Sequence, residues 1–316
     1  SQTITVIKGL PWEAPEVPDN ALPDGQTADR AIKVLGEIKD KPFFLAVGFL
    51  KPHLPFVAPK KYWDLYKPEE IALAPNPFPP KDTPEYALTS WGELRAYVGI
   101  PNEGPLTDAQ AREALHGYYA TTSYTDAQIG KILNELERLK LRDKTIVVVW
   151  GDHGWQLGEH GLWCKHTNFE VATRAPLLIS VPGQKTVDKT SPALVEFVDI
   201  YPTLVELCGL PMPSGLEGTS FKPLLENPSK PWKKAAFSQF PRPVPRKGKA
   251  MGHTMRTDRY RFTQWAIPEA DFVEYELYDH QTDPQENINL ARQPQYAALV
   301  KELSVQLKAG WREARP

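Results

Sequence analysis

Apolar residues recur at helical spacing over two long stretches of the chain. Ala28, Ala31, Ile32, Leu35 and Ile38 share one face and predict a helix over Thr27–Lys39 with Thr27 as its N-cap. Thr107 opens a second, longer helix. Gln110 three residues on completes a capping box, and the apolar face runs through Leu115, Tyr118, Tyr119, Ile129, Ile132, Leu133 and Leu136, with a break near Ser123 left open. Two short continuous apolar runs, Pro42–Leu50 and Thr145–Trp150, read as strands buried on both faces. Ala175–Val181 reads as a further strand and Val198–Leu207 as a short helix. A strand, a long helix and another buried strand make a βαβ unit, so the expected fold class is α/β with a mostly parallel sheet flanked by helices.

The pattern changes after about Trp232. Met251–Trp265 alternates polar and apolar residues, as a half-exposed antiparallel strand pair does. Glu274–Asp279 is another short strand, and Gln295–Trp311 is a helix with Tyr296, Leu299, Leu303 and Leu307 on one face. Two domains follow: residues 1–232 as an α/β domain and 235–316 as a smaller α+β domain with an antiparallel sheet. Proline, at 32 residues against 20 glycines, concentrates in Leu10–Pro23, Lys67–Pro84 and Pro241–Pro245, which read as extended surface connections.

A formal net charge of −2 leaves no global basic field, so no nucleic-acid partner is expected. Cys164 and Cys208 are too few for a disulfide framework, and Cys208, in the apolar run Leu204–Leu210, reads as a buried small hydrophobe. No apolar run is long enough to span a membrane. The opening Ser-Gln-Thr-Ile-Thr is not a basic and apolar leader, and a processed or truncated chain is expected.

Chemistry concentrates in Thr145–Glu170, TIVVVWGDHGWQLGEHGLWCKHTNFE. The strand ends at Trp150, and Asp152 and His153 follow between Gly151 and Gly154. In open α/β sheets the ligand crevice lies at the carboxyl ends of strands. A hard anionic oxygen and a neutral nitrogen on such a turn suit a metal ion; a helix cap beside a surface histidine is the alternative for the bare dipeptide.

The longer pattern Asp-His-Gly-x-x-x-Gly-Glu-His-Gly resembles the second metal-ligand motif of type I sulfatases, in the iduronate-2-sulfatase subgroup. Pro42–Phe56 (PFFLAVGFLKPHLPF), Tyr118–Gly130 (YYATTSYTDAQIG), Ser238–Pro243 (SQFPRP), Met251–Tyr260 (MGHTMRTDRY) and Glu276–Asn289 (ELYDHQTDPQENIN) resemble further segments of that family, in order. The resemblance implies an alkaline-phosphatase-like fold, with residues 1–232 forming part of the catalytic domain. It implies one calcium ion with Asp152 and His153 as two of its ligands. Lys165 would contact the sulfate oxygen, and His53 would contact sulfate or protonate the leaving alcohol. Trp155 is read as lining the sugar pocket, with a structural tryptophan as the alternative, and Lys51 as a substrate contact, with a solvated lysine as the alternative. His160 reads as structural; a zinc site from His153, His160 and His166 is the competing arrangement. Arg256 and Tyr260 are read as an exposed strand face or as reaching the cleft. The implied partner is a sulfated uronic acid or related glycan, and the implied setting is periplasmic, extracellular or lysosomal.

The family's nucleophile is a formylglycine made within Cys/Ser-x-Pro-x-Arg. Neither that motif nor the Asp-Asp pair of further metal ligands occurs in these 316 residues. Two ligands do not satisfy a calcium that takes 6–8 oxygens. The chain is therefore expected to need an N-terminal segment or partner chain, and to be inactive alone. Two other functions stay open: a two-zinc phosphodiesterase of the alkaline phosphatase superfamily, and a non-catalytic glycan-binding homologue.

Overall fold

Proline rather than threonine starts the first helix. In the computed structural model, which describes residues 9–316, α1 (Pro23–Ile38) has Pro23 at its first position, where a missing N–H costs little. Thr27 therefore lies inside the helix and is not its N-cap. The reason is tertiary: the buried Asp24 carboxylate accepts hydrogen bonds from the backbone N–H groups of Leu50 and Lys51, each at 2.9 Å. The opening Ser1–Thr5 lies outside the described residues.

These residues form two compact units. The first takes in residues up to 77, 90–148 and 155–164. In it two short helices, α2 (Lys60–Trp63) and α3 (Gly92–Arg95), precede α4 (Asp108–Arg138). Thr107 caps α4 as expected: its Oγ1 accepts from Gln110 N at 3.2 Å, and Gln110 Oε1 accepts from Thr107 N at 3.1 Å. The helix runs unbroken past Ser123 for 31 residues. Its apolar face packs in two places. Leu136 joins Leu35 of α1, Leu141, Phe43 and Leu45. Ala120 and Tyr124 join Ala58, Tyr62 and Trp63. Strands β1 (Trp12–Glu13) and β2 (Phe56–Val57) pair in parallel.

Pro42–Leu50 is not a strand buried on both faces. It forms no ladder among the described residues, and its burial alternates: Phe43 and Leu45 pack on the helices while Phe44 is 84% exposed. A run of apolar residues cannot say whether a second layer covers its far face. Thr145–Trp150 does yield β3 (Val147–Trp150), but half-buried and ending on the exposed Trp150 rather than buried on both faces; a short antiparallel pair, β4 (Gln156–Leu157) with β5 (Trp163–Cys164), follows it.

The second unit comprises residues 78–89, 149–154 and 165–316. It holds α5 (Glu170–Thr173), β6 (Leu177–Ser180), α6 (Ile200–Leu207) and α7 (Lys222–Glu226). An antiparallel sheet follows, of β7 (Ala236–Val244), β8 (Gly248–Arg256), β9 (Tyr260–Ile267) and β10 (Phe272–Asp279), in the order β10-β9-β8-β7. Met255, Phe262 and Leu277 from this sheet bury against Val300 and Leu303 of α8 (Ala297–Ala309). The stretch Pro241–Pro245, read as a connection, is largely the end of β7 instead. Proline cannot donate to a ladder, and β7 is an edge strand, which is where a sheet tolerates it. Cys208 caps the C-terminal end of α6 and is exposed, not buried, because the helix turns Thr203 and Val205 inward; neither cysteine is in a disulfide.

One buried carboxylate gives this unit a pH signature. Burial pushes Glu276 up to about 7, although Tyr278 Oη and Trp265 Nε1 donate to it at 2.7 and 2.6 Å. A folded value above the unfolded 4.5 means the contribution is fully present below pH 4.5 and is lost as pH rises through 7. At about 1.4 kcal/mol per pH unit this is roughly 3 kcal/mol. In Glu276→Gln the amide can still accept from Trp265 and can donate to Tyr278, whose hydroxyl then turns to Thr83 Oγ1, 2.7 Å away. Thermal unfolding should place the variant above the parent at pH 8, with the gap closing by pH 4.5. A variant that melts lower than the parent at pH 8 would remove Glu276 as the cause.

Candidate active site

β3 ends where its apolar run ends, and the chain leaves it through a turn held by two main-chain hydrogen bonds. Gly151 N donates to Pro176 O at 3.1 Å, and Gly154 N to Ala172 O at 2.9 Å. Between them Asp152 is 86% exposed, a carboxylate presented rather than packed away. His153 Nδ1 lies 2.7 Å from its neighbour's carbonyl, Gly154 O. A carbonyl only accepts, so Nδ1 carries a proton, and in the neutral ring Nε2 presents the lone pair. That Nε2 is 3.5 Å from Asp152 Oδ2. The pair offers one oxygen and one nitrogen close enough to bind a common ion, with the histidine tautomer set by a backbone acceptor as metal-ligating histidines have it.

Lys165, the residue after β5, lies in the second unit with this pair, and its carbonyl accepts from Thr167 N at 2.8 Å. It is half-buried.

The other three predicted residues meet in the first unit. His53 Nδ1 is 2.7 Å from Leu54 O and Nε2 is 2.8 Å from Glu93 Oε1, so both nitrogens face acceptors. Trp155 stands edge-on to His53 with ring centroids 5.7 Å apart, and Phe56 and Tyr118 flank the indole at 6.3 Å. Lys51 is not a free surface lysine. Its Nζ donates to the carbonyls of His53 and Pro55 at 3.0 and 2.6 Å. Burial lowers its pKa, against the pull of Asp24. The ammonium thus ties the loop that carries His53.

Neighbouring groups narrow the choices. His160 is buried and its main-chain N–H donates to Asn76 O at 2.8 Å, which suits a structural role. Among the described residues, the one group of three or more metal-competent side chains within mutual reach is Glu170, His280 and Glu286, not three histidines. Arg261 already lies between these carboxylates: its Nε is 2.6 Å from Glu286 Oε1, and its Nη2 bonds Glu170. A guanidinium fills the place a cation would take. Arg256 Nε lies 3.2 Å from the same Glu170, on a cleft of about 500 Å³ with Arg174 and His280, whereas Tyr260 packs on the sheet's core.

Residues 8–210 match the family described as Sulfatase, and residues 158–313 match N-sulphoglucosamine sulphohydrolase, C-terminal. The chain belongs to the sulfatase family. It is 34% identical to iduronate 2-sulfatase of Mus musculus over 93% of its own length, and it spans 66% of that relative, just under two thirds. The sulfatase chain also superposes on a protein solved in complex with its substrate D-glucosamine-2-N,6-O-disulfate. That match has a TM-score of 0.77 at 25% identity and covers 92% of this chain and 69% of the other. A phosphonate monoester hydrolase from Silicibacter pomeroyi shares the fold, with a TM-score of 0.78 at 23% identity over 94% of this chain and 61% of that one. The fold is the mixed α/β fold of alkaline-phosphatase-like sulfatases, with an antiparallel sheet in its C-terminal part.

Asp24 and Glu93 went unnoticed in the sequence, yet they hold Lys51 and His53 respectively. Each lies tens of residues from its partner with no motif around it, so no local signal marks either one.

Proposed function

We propose that the protein containing this chain is a calcium-dependent sulfuric ester hydrolase acting on a sulfated uronic acid or a related sulfated glycan. The observation that carries this reading is the Asp152–His153 turn of a sulfatase-family chain, where Nδ1 is committed to a carbonyl and Nε2 sits beside a carboxylate. Asp152 and His153 would hold the ion, which when bound would neutralise sulfate oxygens. Lys165 supplies a positive charge toward the same oxygens, where charge grows as the ester bond breaks. His53, with acceptors at both nitrogens, is suited to hold the proton that the leaving alcohol needs. Glu93 positions that ring, Trp155 would line the sugar pocket, and Lys51 supports the loop that carries His53. The nucleophile and remaining metal ligands would come from a segment outside these 316 residues. Residues 1–232 would belong to the catalytic domain and 235–316 to the smaller one. An exported, periplasmic, extracellular or lysosomal setting belongs to the same reading.

The test uses the full-length protein that carries this chain. Inorganic sulfate release from a 2-O-sulfated uronate disaccharide is measured beside cleavage of a phosphate diester, together with metal content. The expected result is sulfate release with one calcium per chain, reduced at least about 100-fold in Asp152→Asn through lost metal affinity. Residues Ser1–Pro316 alone are expected to release none. Diester cleavage with two zinc ions per chain would replace the proposal with the phosphodiesterase reading, and turnover of neither ester would favour a glycan-binding protein.

A further inference from the structure

Phe240 and Arg242 project from the same side of β7, since alternate residues of a strand share a face. The Phe240 ring lies 5.7 Å from the ring of His166, the residue after Lys165. Arg242 Cζ stacks 4.7 Å from the Phe240 centroid. Pro241 and Pro243 fix the backbone on either side of this arginine. His166, Phe240 and Arg242 therefore form one stack leading away from Lys165, all within the second unit.

Arg242 differs from the paired arginines of this unit. Arg261 is matched to Glu170 and Glu286, and Arg259 to Asp279. The Nε and Nη2 of Arg242 are closed off from solvent with no hydrogen-bond partner among the described residues. Burial pushes its guanidinium down to about 10, and no carboxylate offsets it. A cation–π contact recovers only part of the hydration that a buried guanidinium gives up, and proteins otherwise pair such charges. Arg242 as a whole is only half-buried, so an anion can still approach the guanidinium from solvent.

We propose that Arg242 binds a second anionic oxygen group of the substrate sugar, a carboxylate or a further sulfate, and so sets specificity for sugars that carry one besides the reacting ester. The assignment of the reacting ester rests on the sulfatase reading above. The guanidinium waits unpaired because its counter-ion arrives with the substrate. Hydrogen bonds from a guanidinium to an oxyanion are charge-assisted, and their loss weakens binding steeply.

The experiment compares the full-length protein with Arg242→Met and Arg242→Lys on three probes. These are a 2-O-sulfated uronate disaccharide, the same disaccharide with its carboxylate reduced to the alcohol, and the reduced form with an added sulfate on its glucosamine. The readout is the preference in kcat/KM for each doubly anionic probe over the reduced one. That preference should fall about 100-fold in Arg242→Met and about 10-fold in Arg242→Lys, which keeps the charge but not the fork. Loss against the carboxylate probe assigns a carboxylate, and loss against the extra-sulfate probe assigns a sulfate. An unchanged preference for both overturns the proposal. Should the parent hydrolyse none of them, the sulfatase reading fails separately, and calorimetric binding of the same probes still decides Arg242 by the same comparison. Should Arg242→Met fail to fold, Arg242→Lys carries the test.

Discussion

Gly154→Ala is expected to cost the full-length protein at least about 100-fold in sulfate-ester hydrolysis and about 10- to 100-fold in calcium affinity. An ideal Cβ at Gly154 would stand 2.1 Å from Val171 O and 2.6 Å from Arg174 O. Both are main-chain atoms at the α5 turn, so no side-chain rotation relieves the contact. The Gly154 N–H also bonds Ala172 O at 2.9 Å, which holds the two backbones together at the point of collision. The turn has to move outward by about an ångström, and Asp152 and His153 move with it. His153 is affected twice, because the acceptor that sets its tautomer is the Gly154 carbonyl. Misplacing a binding group by that much costs roughly a hundredfold, and the strain should also destabilise the fold by about 1–3 kcal/mol. Gly151→Ala is the control: its Cβ would meet Pro176 Cδ at 3.3 Å, a contact that small adjustments absorb. Calcium titration and sulfate release on both variants make the comparison. A Gly154→Ala protein that binds calcium as tightly as the parent would show that this turn does not hold the ion.

Lys233→Met should be the most destabilising of the single substitutions considered, at about 3–5 kcal/mol. Its side chain is only 4% exposed, and its Nζ lies 2.6 Å from Glu196 Oε2 and 2.8 Å from Asp199 Oδ2. Those carboxylates in turn collect backbone donors from distant segments. Asp199 Oδ1 accepts from Thr219 N at 2.7 Å, and Glu196 Oε1 accepts from Phe237 N at 2.9 Å. Methionine fills the space but leaves the buried Asp199 and the half-buried Glu196 carboxylates with no cation, which is the costly way to break a buried ion pair. Three stretches of the second unit, around residues 196–199, 219 and 233–237, lose their shared anchor together. For a protein of this size the melting temperature should fall on the order of 10 °C. Lys230→Met, on the same loop but exposed, should stay within about 0.5 kcal/mol of the parent. Equal melting temperatures for Lys233→Met and Lys230→Met would mean that the network adds nothing to stability.

Some elements were legible because their cause is local. Thr107 and Gln110 satisfy each other three residues apart, so the start of α4 could be read directly. The apolar face of α8 needed only the 3.6-residue repeat. The Asp152–His153 turn was legible because the end of an apolar run and two flanking glycines are written side by side.

Other features had no such mark. The start of α1 depends on Asp24 meeting amides 26 and 27 residues away, and His53 depends on Glu93, 40 residues on. β7 contains two prolines and reads as a connection until its place at the sheet edge is known. The uncovered face at Phe44 and the solvent-turned Cys208 are equally invisible to periodicity. The sequence alone determined the family, the helix with a local cap and the residue types of the Asp152–His153 turn. Tertiary structure decided which charges meet, which strand lies at an edge and which guanidinium, among the described residues, buries nitrogens without a partner. Those outcomes depend on contacts between residues far apart in the chain, and neither helical nor strand periodicity encodes such contacts.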